Sequence, residues 1–129
     1  MESVFEIGIS PEYNKCLCIY FSKLKELFKS CKDRRGLYTD LLQELIPKIN
    51  DLLEDSATFT VFLYLNGLQL NDLYMIRELT MYMTNFFVEH YHGKLNKCFM
   101  MNVPLHLENI YHIIRPLIHK EARSKIILV

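Results

Sequence analysis

From Phe59 onward, apolar runs of strand length alternate with longer stretches whose apolar positions recur every three or four residues. That pattern predicts strand, helix, strand, helix, strand. Thr58 to Leu65 is rich in β-branched and aromatic residues, and Asn66-Gly67 turns the chain after it. Asn71 is placed to cap a long helix from Asp72 to about Tyr91, with Ile76, Leu79, Met83, Phe86 and Phe87 as its inward stripe. Gly93 stops it, and Cys98 to Val103 is the next strand. Pro104 opens a helix with Leu107, Ile110, Ile114 and Leu117 on its buried side, and Lys125 to Val129 is a last strand.

The first half is less regular. Phe5, Ile7 and Ile9 alternate as in a short edge strand before Pro11. Cys16 to Phe21 is a continuous apolar run, consistent with a strand covered on both faces. Ser22 can cap a short helix from Lys23 to Phe28. Thr39 or Asp40 then caps a helix that buries Leu41, Leu45, Ile49 and Leu52, and Pro47 inside it predicts a kink or a division. From Thr58 onward strands alternate with helices, which implies parallel pairing through right-handed crossovers, hence an α/β domain with a mainly parallel sheet of about four to five strands. The helices in view cover one face of such a sheet well, which leaves an apolar face to be covered by something else.

With 129 residues, half of them hydrophobic, the chain makes one domain with a small core. Fifteen basic and fifteen acidic residues cancel, so global charge gives no argument for nucleic acid. One local excess stands out. Lys23 to Arg35 holds six basic residues against two acidic ones, and Lys29, Lys32, Arg34 and Arg35 are candidate contacts to a membrane or to phosphates. The N-terminus has no basic region followed by a long apolar run, and no stretch approaches the length of a bilayer span. The four cysteines are therefore expected to be reduced and the chain cytoplasmic, with peripheral membrane contact open to it. No cofactor or metal is expected. His90 and His92 lie two apart without a matching Cys or carboxylate pair, the cysteine spacings fit no zinc finger, and the glycines are isolated.

Several pieces in order resemble one family: Asn66-Gly67-Leu68, His90-Tyr91-His92-Gly93-Lys94-Leu95, Phe99-Met100-Met101-Asn102-Val103-Pro104, Ile114-Arg115-Pro116-Leu117 and Ser124-Lys125-Ile126. They are similar to the CRAL-TRIO lipid-binding domain, the type found in phosphatidylinositol, tocopherol and retinaldehyde transfer proteins. Tyr64 stands where the family usually has Asp, and His92 where it has Pro. The helical N-terminal lobe and C-terminal gate of that family have no evident counterpart, so the resemblance implies a partial domain over 1–129 with a three-layer-like CRAL-TRIO architecture.

That resemblance implies a non-enzymatic module holding a lipid, a phosphoinositide among the ligands expected of the family, or another hydrophobic molecule against the sheet. Carried over by position, Phe62, Tyr64, Phe99 and Met101 would line the pocket from the strands, and His106, Ile110 and Ile114 from the following helix. Either alternate set of strand residues could face the ligand, because both are apolar. A second function stays open: a protein-interaction scaffold that dimerises, or binds small-GTPase regulators, through the uncovered sheet face. No clustered acid or nucleophile supports an enzyme.

Overall fold

The computed structural model describes residues 4–104, 109, 111, 112, 115–118 (the side chain of Leu117 excepted) and 120–129. The chain runs β1 (Phe5–Ser10), β2 (Asn14–Tyr20), α1 (Phe21–Ser30), α2 (Arg34–Asp55), β3 (Phe59–Tyr64), α3 (Leu73–His90), β4 (Leu95–Met101), α4 (Lys120–Arg123) and β5 (Ile126–Leu128). The strands form one sheet in sequence order, β1-β2-β3-β4-β5. β1 pairs antiparallel with β2, and the other three pairings are parallel. Successive crossovers that all step in the same direction and share one hand put their helices on one side of the sheet.

The core follows from that arrangement. Leu17 and Ile19 of β2, Phe59 and Val61 of β3, Leu41, Leu45, Ile49 and Leu52 of α2, and Leu79 and Phe86 of α3 are buried in one cluster. All the strand residues in it come from the same alternate set, as the period of two requires.

Boundaries differ from expectation in places that have a cause. α2 begins at Arg34 rather than near Thr39, because the Asp33 carboxylate accepts the Arg35 N–H at 3.1 Å and caps the helix early. Pro47 does not divide it. The proline is exposed, so the Gln43 carbonyl left without its partner lies on the side where water reaches it. α3 is entered through a single 3₁₀ turn, Leu70–Asp72, whose capping pair is Gln69 and Asp72 in place of the expected Asn71. Asp72 also receives Lys25 Nζ from α1 at 2.9 Å, and both side chains are largely buried. β4 starts three residues earlier than predicted, with a register shift opposite Phe59 and Thr60. The expected link at Glu121–Ser124 is largely the short helix α4.

Candidate functional site: an apolar cavity beneath α3

Between the sheet and the helices lies a cavity of about 150 Å³. Leu63 of β3 and Cys98 and Met100 of β4 form its floor, and Ile76, Met83 and Phe87 of α3 form a wall. α1 closes one side with Phe21 and Leu24, and Ile126 of β5 and Ile118 complete the other. The lining is almost entirely carbon. Thr84, one of the hydroxyl residues there, spends its Oγ1 on the Thr80 carbonyl one turn back, at 2.7 Å. Such a space stays dry and favours apolar occupants.

Cys98 is the one thiol on this lining. It is only partly covered by protein, yet burial pushes its pKa up to about 12. Both hold together because its open side faces the cavity rather than bulk water. At neutral pH it is a protonated, weakly nucleophilic thiol. Burial likewise pushes Cys18 up to about 11. Among the described residues, no group of three or more His, Cys, Asp or Glu side chains could hold a metal ion.

The strand residues expected at the ligand stand on the opposite face. In register, Cys18, Phe62, Phe99 and Ile127 form one row across the sheet, and Tyr20, Tyr64 and Met101 the next. Phe62 and Phe99 stack at 5.1 Å, Tyr13 reaches over both from the β1–β2 turn, and Tyr20 stacks on Tyr64 at 5.3 Å. Leu63, Cys98 and Met100, their immediate neighbours in sequence, are the ones at the cavity. A one-residue step moves a side chain through the sheet, and both sets are apolar enough to hide the choice. His106, Ile110 and Ile114 lie outside the described residues.

The two faces also differ in polarity. The face without the cavity also holds Glu6, Gly8, Thr60 and Lys97, whereas the cavity side of the central strands carries aliphatic, aromatic and sulfur-bearing side chains. Lys29, Lys32, Arg34 and Arg35 are exposed and gather at the α1–α2 junction. Arg34 is paired with Glu78 of α3 and lies over the Phe28 ring at 5.9 Å.

The motif residues mark joints around this frame. Gly67, after β3, has φ of 84°, a conformation that costs a side-chain residue strain. Asn102, after β4, has φ of 57° and donates its side-chain amide to Asn66 at 2.8 Å, tying the ends of the two central strands. Tyr91 donates to Asn50 of α2 at 3.2 Å. Glu121 of α4 accepts the Gly93 N–H at 2.8 Å and faces His92 Nδ1 at 2.9 Å.

A mainly parallel sheet with helices on one side and an apolar cavity between them defines an α/β domain with an enclosed apolar space. The sequence matches the family model of the CRAL/TRIO domain over residues 8–129, and the chain belongs to that family, which binds lipids or hydrophobic ligands. The crystal structure of Sfh5 is similar in fold, with a TM-score of 0.71 at 16% identity over 97% of this chain and 46% of that one. The chain thus spans about half the length of that protein. The sequence matches none of the curated proteins with which it was compared.

Proposed function

We propose that the chain binds one lipid, or another elongated hydrophobic molecule, without chemical turnover, by placing the apolar part of the ligand in the cavity beneath α3. The observation that carries this reading is the carbon-lined space between α3 and the central strands. At about 150 Å³ it fits a group the size of a benzene ring, so it takes a segment of a lipid as it stands. Met83 and Met100 on opposite walls have three rotatable bonds each and can repack to lengthen it. The lining is almost entirely carbon, so a headgroup belongs outside the cavity. The protonated state of Cys98 supports a binding role over a catalytic one.

Organic extraction of the purified chain followed by mass spectrometry tests this, with and without prior incubation with mixed lipids. Wild type is expected to retain an apolar ligand, and Met100→Trp, which fills the cavity, to lose it while keeping its circular dichroism. A wild type that stays empty after incubation, or a Met100→Trp variant that retains as much ligand, overturns the assignment.

A second reading rests on the other face. The plate of Tyr13, Phe62, Phe99, Tyr20 and Tyr64, with Met101 beside it, is covered by no described helix. It suits a protein partner or a second copy of the chain. Native mass spectrometry of wild type and Phe99→Ser separates the two readings. A dimer lost in Phe99→Ser, with ligand content unchanged, assigns that face to protein contact.

A further inference from the structure

We propose that the outer side of α3, together with the α1–α2 junction, is a docking surface for an anionic lipid bilayer. α3 is apolar on more than the side it buries. Tyr74 is 79% exposed and Met81 40% exposed, and Leu70, in the turn that leads into the helix, is 64% exposed. Tyr74 and Met81 are seven residues apart, two helical turns, so they lie on one stripe. The inward stripe of the same helix lines the cavity, so α3 is the wall between this surface and that space.

Cations border the stripe. Glu78 lies between Tyr74 and Met81 on α3, and its ion pair with Arg34 draws the start of α2 alongside. Tyr38 of α2 stacks on Tyr82 one turn further along, at 4.3 Å. Near Leu70, Lys25 of α1 binds the Gly67 carbonyl at 3.2 Å as well as Asp72. These contacts fix α1 and α2 against the exposed side of α3. Lys29, Lys32 and Arg35 are exposed on the junction and Arg77 on α3 itself. Nearby anions include Glu26, Asp33, Asp40, Glu78 and Asp72, the last held by Lys25. Glu78 is neutralised by Arg34, and Asp33 is turned to the α2 N-terminus as its cap.

The chemistry fits a bilayer better than a protein. Three or four separated side chains are too little apolar area for a stable protein interface, which buries on the order of 800 Å² per partner. A few large apolar groups rimmed by Lys and Arg are what an anionic membrane interface takes, and Tyr is suited to that depth.

The absence of tryptophan supplies the probe. Tyr74→Trp places a single indole on the surface, and Ile9→Trp places one at an equally open apolar position on β1. With vesicles of phosphatidylcholine containing about a third phosphatidylserine, Tyr74→Trp emission is expected to shift to the blue and Ile9→Trp emission to stay unchanged. Sedimentation is expected with those vesicles and not with phosphatidylcholine alone. Lys29→Glu/Lys32→Glu and Leu70→Ser/Tyr74→Ser should each weaken it by roughly tenfold or more. All four positions are exposed, and circular dichroism checks that the fold is kept. Equal sedimentation with neutral vesicles, an unshifted Tyr74→Trp spectrum, or undiminished binding of the variants overturns the proposal. So does a concentration-dependent dimer lost in Leu70→Ser/Tyr74→Ser without vesicle binding, which assigns the surface to a second copy. Ligand extraction is a separate readout, so the cavity and the docking surface can fail independently.

Discussion

The two faces of the sheet are built from the same strands and from side chains one position apart, yet they differ in what holds them. On the helix side, Leu17 and Val61 are buried beneath α2 and α3, and Phe59 meets the Phe87 and Tyr91 rings at 5.9 and 6.1 Å, with the cavity beside them. On the other side, rings stack on rings, with Thr60, Lys97 and Glu6 interspersed and no described helix above them. Stability therefore belongs mainly to the first face. The second is free to serve contacts, and the difference shows that apolar composition alone does not reveal which face of a parallel sheet is core.

The sharpest way to break that comparison is a pair of truncations. Leu17→Ala on the helix face removes a fully buried side chain and should cost about 3–4 kcal/mol by urea unfolding. Phe99→Ala on the other face loses one stacked ring and part-buried area, at about 1–2 kcal/mol. Equal losses would mean that both faces are core. Asp72→Ala comes next. It leaves Lys25 largely buried without its carboxylate and removes the cap of the turn into α3, costing about 2–3 kcal/mol in the same measurement.

A smaller effect sharpens the cavity side. Alkylation of Cys98 by a small reagent should be slow at neutral pH, because burial holds its thiol protonated up to about 12, and slower still once a hydrophobic ligand is loaded. Peptide mapping against the partly exposed Cys31 checks it, and ligand-independent labelling of Cys98 would remove the ligand from that floor.

The smallest effect sits at the β4 entrance. Burial works to raise the Glu121 pKa, but the Gly93 N–H, His92 and Lys125 together outweigh it and bring it below 4.5. A carboxyl depressed on folding contributes stability above its unfolded pKa and loses it as pH falls through the folded value. Wild type should therefore lose slightly more stability than Glu121→Gln as pH falls from about 4.5 downward. Parallel acid titrations of both would show it.

The order of elements, the parallel pairing of β3 to β5 and the family were legible in the chain, because period, turn residues and spaced motifs are local. Asn66-Gly67, Gly93 and Asn102 show why those motifs are readable. Each fixes a backbone turn or ties two strand ends, and those duties depend on residue type. The start of α2 was misplaced because one carboxylate, that of Asp33, outcompeted a plausible later cap. Pro47 left α2 undivided, the division being one of the two outcomes expected of it, because its exposed side lets water take the carbonyl that the proline leaves without a partner. The sequence determined an α/β domain of the CRAL/TRIO kind with a mainly parallel sheet. Only the tertiary structure decided that Leu63, Cys98 and Met100, rather than Phe62, Phe99 and Met101, meet the cavity. The side of the sheet that the helices take is set by crossovers spanning tens of residues, and no local window of sequence contains that information.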